Sequence, residues 1–486
     1  VSNLSELLPA GGGQNNFTFT ASGAVSNGDA VVLNSDGTVT SVGDVAAAIG
    51  TAVQISSQTS INARRLSAAY DSVNNKIVIV YMGGSSYGVA VVGTISGSTV
   101  SYGTPVTYDS NSQEGPSLVF GDGKVVVAYH HAGQGVKARV GTVSGTSISF
   151  GNAVTLDSSA TAGNQAIGFH AAESKFVVAY QDNGDSNKGK AAVGTVSGTT
   201  ISFGSQTTFE SGYTLLETRS VVYDSTNERI VIIYTDSTVG HNQGTGIVGE
   251  ISGTSISFGS AEVFSSSPGT TILAATFDES AGKVVAVGQA NNYGVYAVGT
   301  VSASPNSISF GTQTTFTSGM ITNNPAVIEY SAAAKKIVIA TTDTSNNSLL
   351  HPGTVSGTSI SFDSTTNSGS GNYLVGALTY DSSARKIHVS YGASDDSGQL
   401  TGRAFSPIQT NLTPTAFIGL AAQAISDSAT GTINTAGSLN ESQSGLTIGS
   451  DYYVQEDGTI STTSTSPAVK IGQAIKATTI NMKNRS

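Results

Sequence analysis

Apolar residues in this chain fall in short, β-branched runs. Ile77–Val80, Val125–Val127, Ile230–Ile233 and Ile337–Ile339 are bounded by breaks rich in Gly, Asp, Asn and Ser. Other runs alternate, as in Ser147–Phe150, with apolar and small polar residues in turn. Runs of this length and period predict strands, and no stretch holds a helical period beyond a turn or two.

The runs recur in a fixed order. The phrase VGTVSGTSISFG places its Gly-Thr or Gly-Glu step at Gly93, Gly141, Gly194, Gly249, Gly299 and Gly353, with a degenerate copy at Gly402. A basic residue and a β-rich run ending in Tyr precede it: Lys76–Tyr81, Lys124–Tyr129, Lys175–Tyr180, Arg229–Tyr234 and Lys386–Tyr391. Gly288 and Thr341 stand at the Tyr position of the fifth and sixth copies. Earlier still, a phrase ends in Tyr70, Phe120, Phe169, Tyr223, Phe277, Tyr330 or Tyr380. A fourth run follows the Gly phrase. Each repeat therefore predicts four strands, A to D.

Seven such repeats predict an all-β fold: a seven-bladed β-propeller inserted in a small β-rich module formed by the N- and C-terminal flanks. A β-solenoid fits less well, because its coils are usually shorter. Separate small domains fit poorly, because one four-stranded sheet cannot bury both its faces. The expected divisions are an N-terminal anchor segment and part of the module at 1–48, a propeller at 49–405, and the rest of the module at 406–486. Repeats start near 61, 113, 161, 213, 269, 320 and 371. The seventh repeat lacks an obvious strand D. Ile49–Ser57 is the favoured candidate and Pro407–Leu412 its rival.

The A–B and C–D links are short and alike. The B–C links differ: Met82–Gly88, His130–Gly135, Gln181–Gly189, Thr235–Gly244 and Thr342–Leu350. The D–A links vary too. One end of the sheets is thus uniform and the other varied, and varied loops on a rigid scaffold are where binding usually sits. With Ile49–Ser57 as strand D, both links to the flanking module leave from the uniform end, which predicts a module beneath the propeller and loops facing away.

Composition narrows the function. Charged residues are 11%, against roughly 25% in ordinary soluble domains. There is no Cys, which removes disulfide scaffolds, thiolate metal sites and Cys nucleophiles. A net charge of −11 argues against nucleic acid as partner. No apolar run nears the ~18 residues of a membrane span, so no membrane insertion is expected. Val1–Gly13 has neither a basic start nor a long apolar core, and does not read as a secretory signal.

No catalytic residue, cofactor or metal is expected. Nucleophile elbow and Walker loop are absent, and the Trp-containing box of sialidase propellers cannot occur without Trp. His130 and His131 would begin a metal site, but no further ligands accompany them, and they read as a solvated loop. Gln181–Lys188, with Asp182 and Asp185, and Ser394–Ser397 offer oxygen ligands for Ca²⁺ without the EF-type pattern, and read as polar turns. The Asp after strand A (Asp71, Asp224, Asp278, Asp381) recurs across repeats, which points to turn capping. His388 interrupts a strand B and reads as a hydrogen-bonded interior residue. Irregularly placed tyrosines are candidates for an exposed face. The binding-face candidates are Tyr87, His130, His131, Asp182, Asp185, Tyr213, His241, Tyr293 and Tyr373.

The flanks resemble each other. Gly28–Val39 (GDAVVLNSDGTV) aligns with Gly449–Ile460 (GSDYYVQEDGTI), sharing Asp-Gly-Thr at Asp36–Thr38 and Asp457–Thr459. Ala47–Ser56 matches Ala416–Ser426 and Val469–Ala477. Both flanks read as pieces of one small β-domain. Together with the repeats, the opening Leu4–Val39 and the closing Asn411–Lys483, above all Tyr452–Thr459, resemble virion structural proteins of tailed, marine-type bacteriophages. That resemblance implies a fibre or decoration protein on the particle surface, of tail or capsid. Its partners would be other virion proteins, further copies of itself, and a host-surface glycan. A lectin-like adhesin and a glycan-cleaving tailspike are the alternatives. Leu4, Leu7 and Leu8, ahead of Pro9 and Gly11–Gly13, form a candidate anchor that would order against a virion partner or sister subunit.

Overall fold

The computed structural model describes residues 15–56, 65–84, 86–111, 113–159, 165–217, 219–238, 242–265, 270–321, 324, 326–369, 373–393 and 399–483. The candidate anchor Leu4, Leu7 and Leu8, and His241, lie outside them. The chain is all-β and divides into two units: Ala48–Pro407, and Val1–Ala47 with Ile408–Ser486. Among the described residues no helix is long and apolar enough to cross a membrane.

The larger unit holds seven antiparallel sheets among its described residues. Their B strands are Lys76–Met82, Lys124–His131, Lys175–Asp182, Arg229–Asp236, Lys283–Ala290, Lys336–Thr342 and Lys386–Ala393. Strand B lies second in each sheet and is covered on both faces, which explains its near-continuous apolar sequence. In the first sheet Val78 and Val80 pack towards the second sheet, with Leu118, Val127 and Tyr129. Ile77, Ile79 and Tyr81 pack on the opposite face with Ala377, Leu400 and Ala404 of the seventh sheet. Each of the other five neighbouring pairs shares a cluster of its own.

Strand D of the seventh sheet comes from the N-terminal side. Ile49 pairs with Phe405 and Ala48 with Ser406, then Val53 with Gly402 and Ser56 with Leu400. Pro407–Leu412 does not take this place: Gln409–Thr410 pairs with Asp44–Val45 in the other unit. Ala48 and Ser406, where the chain enters and leaves the larger unit, thus sit side by side at the uniform end of the seventh sheet.

Every strand D is broken in two. In the first five sheets the break is a glycine that ends the SFG or SYG step: Gly103, Gly151, Gly204, Gly259 and Gly311. A Cβ at Gly103 would overlap the Thr146 carbonyl in the C–D turn of the next sheet. Gly151 meets Thr199 in the same way, Gly204 meets Thr254 and Gly259 meets Asn306, while Gly311 meets the Thr358 side chain. The sixth sheet has Asp363 instead. The sheet after it has no C–D turn, because its strand C runs out of the unit and its strand D arrives from elsewhere. In the seventh sheet Gly50 meets Ser98, in the C–D turn of the first.

The smaller unit takes in both flanks, as the reading of them as pieces of one domain expects, and it is duplicated within itself. It contains two five-stranded sheets of identical connectivity. One runs Asn16–Thr20, Thr430–Asn434, Phe417–Ala421, Ala30–Leu33, Val39–Ser41. The other runs Leu439–Asn440, Thr479–Met482, Val469–Lys476, Asp451–Val454, Ile460–Ser461. The larger unit is inserted between the third and fourth strands of the first copy. The matching hairpins turn alike: Asp36 accepts from the Thr38 amide and hydroxyl, and Asp457 from those of Thr459. Gly419 and Gly472 lie equally close to the carbonyls of Asn434 and Asn481. Ala47–Ser56 belongs to neither copy, despite its similar sequence. Ala30, Phe417, Tyr452, Val454, Val469 and Ile480 share one core across both sheets.

Candidate functional site

The uniform end of the larger unit is held by its own residues. Asp71 accepts from the amides of Val73 and Asn74 at 3.0 and 2.9 Å. Asp224, Asp278 and Asp381 hold their A–B turns through Asn227, Ala281 and Ala384. His170 does this in the third sheet, its Nδ1 accepting from Glu173. The aromatic residues before these caps reach the preceding sheet. Ser383 donates to the Tyr70 hydroxyl at 3.3 Å, joining seventh sheet to first, and Ala333 donates to that of Tyr380 at 3.0 Å.

A second set of ties runs between strand B of one sheet and strand D of the sheet before. Tyr129 donates to Asp109 at 2.7 Å, Tyr180 to Asp157 at 2.9 Å and Tyr234 to Glu210 at 3.0 Å. Burial, with the neighbouring carboxylate, raises all three phenols. Gly288 and Thr341 cannot form this bond, and the strand D positions facing them carry Ser265 and Thr317. Tyr129, Tyr180 and Tyr234 are thus fasteners between sheets.

Among the described residues three tyrosines reach solvent at the varied end. Tyr87 is 43% exposed ahead of strand C in the first sheet, Tyr213 43% in the link from third to fourth, and Tyr293 49% at the start of strand C in the fifth. Their backbones are fixed: Gly83 donates to the Tyr87 carbonyl and Ser237 to that of Tyr213, both at 2.9 Å. Tyr373 begins strand A of the seventh sheet, Tyr373–Asp381.

His130, His131 and Asp182 correct the expectation of solvated loops. All three lie within strand B and are buried. The ladder runs past the Tyr on which the sequence phrase ends, since His130 and His131 pair with Val136 and Gly135. His131 Nδ1 meets the Ala132 carbonyl at 3.1 Å, and its Nε2 lies 3.9 Å from Asp109. Burial pushes the His130 imidazole down, opposed by Glu114. Asp182 accepts from Lys190 at 2.7 Å, and Asp185 pairs with Lys188 at 2.9 Å and Lys190 at 3.0 Å. Two lysines thus neutralise the carboxylates read as possible Ca²⁺ ligands. Among the described residues no group of three or more His, Asp or Glu is placed to hold a metal ion.

His388 is an interior residue, with Nε2 at 2.6 Å from the Tyr102 hydroxyl and Nδ1 at 3.2 Å from Ser390. Burial lowers its pKa to about 3. It is neutral at ordinary pH, and with Tyr102 it joins the seventh sheet to the first.

The A strands of all seven sheets line a cavity of about 530 Å³, which reaches the A–B turns at Ser72, Ala171, Ser225 and Ala332. Arg219 crosses it. Its guanidinium pairs with Glu329 of the sixth sheet at 3.3 Å and donates to the Leu378 carbonyl of the seventh, while its own carbonyl accepts from Ala275 of the fifth. Burial raises Glu329 to about 7 against the pull of Arg219. The sequence offers one signal for this pair: Glu329 is an acid inside an otherwise apolar strand A.

A second hollow, about 510 Å³, lies at the varied end against Asn291, Asn292, Tyr293, Ser318 and Gly319.

No family model matches the chain, and no curated protein matches it. Similar solved structures include Chaetomium thermophilum Raptor, with 6% identity and a TM-score of 0.47 over 74% of this chain and 29% of that one. The Aleuria aurantia lectin in complex with Fucalpha1-6GlcNAc has 13% identity and a TM-score of 0.41 over 64% and 98%. AofleA from Arthrobotrys oligospora has 10% and 0.43 over 70% and 92%.

Proposed function

We propose that the seven sheets are the blades of a β-propeller, and that the protein is a non-enzymatic virion structural protein of a tailed phage whose propeller adheres to a glycan on the host surface. The packing of the seventh sheet on the first supports the ring. The likeness of Tyr452–Thr459 and the flanks to fibre and decoration proteins supports the virion role, with other virion proteins and further copies of the chain as partners.

One observation carries the adhesive reading. Tyr87, Tyr213 and Tyr293 are exposed at the varied end, while Tyr129, Tyr180 and Tyr234 are tied between sheets. An exposed phenol ring offers an apolar face and a polar edge, which suits the C–H face and hydroxyls of a sugar. The test is a glycan array and host-cell binding, with wild type beside a triple Tyr87→Ala, Tyr213→Ala, Tyr293→Ala variant. The variant should melt like wild type and lose binding. Equal binding by both would end the adhesive reading, and absence of the protein from purified particles would end the virion reading.

A further inference from the structure

We propose that the hollow at Tyr293 is a subsite for one neutral pyranose. The proposal rests on the adhesive reading and names where and what it binds. The hollow follows from chain length. Strand B of the fifth sheet ends at Ala290 and strand C begins at Tyr293, so only Asn291 and Asn292 lie between. The matching links of the fourth and sixth sheets span 237–242 and 343–347. The fifth sheet therefore has the shortest of these three links, and the hollow beside it has a volume in the range of small-ligand sites.

The floor is rigid. Tyr293 pairs with Ala290 on one side and Ser318 on the other, so its ring stands on a residue laddered on both edges. The Asn292 carbonyl accepts from Met320 at 2.9 Å, and the Gly319 carbonyl accepts from Thr344 of the sixth sheet at 2.8 Å. Asn291 takes a left-handed φ of 55°, which a two-residue turn demands.

The lining chemistry selects the ligand. Tyr293 supplies a flat ring for stacking. The amide of Asn291 offers donors and an acceptor, and Ser318 adds a hydroxyl, matching the mixed donor and acceptor character of sugar hydroxyls. None of the five lining residues is charged. The nearby Asp343 is engaged by Ser345 and Asn347. A site without a cation does not compensate the desolvation of a carboxylate, so acidic sugars are disfavoured.

Saturation-transfer NMR on the full chain tests this, using methyl glycosides of glucose, galactose, mannose and fucose beside glucuronic and N-acetylneuraminic acids. At least one neutral glycoside should bind. Tyr293→Ala should weaken it at least about tenfold, roughly 1.4 kcal/mol. Asn291→Gly, which keeps the left-handed turn and removes the amide, should weaken it while leaving the melting temperature unchanged. Tyr87→Ala should have no effect on this signal. Binding of acidic sugars alone overturns the ligand class. Binding that survives Tyr293→Ala but falls with Tyr87→Ala or Tyr213→Ala overturns the subsite and keeps the adhesive reading. Sugar binding by neither wild type nor variant overturns the subsite, and the host-cell assay then decides the wider reading.

Discussion

The two ends of the seven sheets are made by the same strands, yet their side chains have different tasks. At the A–B and C–D end, carboxylates hold turn amides, Tyr70 and Tyr380 grip the preceding sheet, and glycines admit the next sheet's turn. At the B–C and D–A end, Tyr87, Tyr213 and Tyr293 stand in solvent on fixed backbone. Neighbouring sheets are tied at both ends, by recurring caps and turn contacts at one and by Tyr129, Tyr180 and Tyr234 towards the other, and the exposed rings stand only at the second.

The sharpest way to break this contrast is to add one side chain at the uniform end. Gly151→Val places its branches against Thr199 of the next sheet. It should cost at least about 3 kcal/mol in denaturant melts. Asp363→Gly, at the matching site without a following turn, should cost less, about 1 kcal/mol for the half-buried ion pair with Lys336 that it removes. Equal losses would deny the contact its role.

Next in size is the channel pair. Arg219→Met leaves Glu329 buried without its cation, at a cost of about 3 kcal/mol at pH 8. The sign with pH follows from the raised carboxyl. Glu329 lies near 7 in the folded chain, against an ordinary glutamate value of 4.5. Its contribution is full below pH 4.5 and is lost as pH rises through 7. The Arg219→Met penalty should therefore shrink at pH 5, and Glu329→Gln should flatten the stability profile between pH 4.5 and 7. A penalty independent of pH would exclude titration of Glu329 as its source.

Smaller again is the fastener. Tyr180→Phe removes the bond to Asp157 and leaves a buried carboxylate one donor short, costing about 1–2 kcal/mol. Smallest is the open end: Tyr213→Ala should change stability by no more than about 0.5 kcal/mol. A larger loss would show that this ring, too, is a structural part.

Much of this contrast is legible in the chain. The phrase spacing gives the number of sheets, the recurring Asp gives the caps, and the missing strand D of the seventh repeat points to Ile49–Ser57, whose Ile49 lies beside Phe405. What sequence reasoning misses, it misses for physical reasons. His130, His131 and Asp182 are poor strand formers, but backbone ladders extend wherever a partner runs alongside, whatever the side chain. The flank duplication shows as similarity and reads as fragments, because the insertion separates Val39–Ser41 from Phe417–Ala421 in sequence and not in the sheet. Arg219 and Glu329 meet across a cavity that no local pattern encodes.

The strand that completes the seventh sheet also sets a timetable. Val53–Ser56 leaves the ribosome long before Leu400–Ser406, with which it pairs. At about 5–20 residues per second the wait is some tens of seconds. Throughout it Ile77, Ile79 and Tyr81 lack their cover from Ala377, Leu400 and Ala404. The sheet of Ala30–Leu33 waits as well, for Phe417–Ala421. Neither unit is therefore finished until residues beyond 400 have been made. A nascent chain halted before residue 400 should present two unfinished surfaces at once, as targets for a chaperone or a protease.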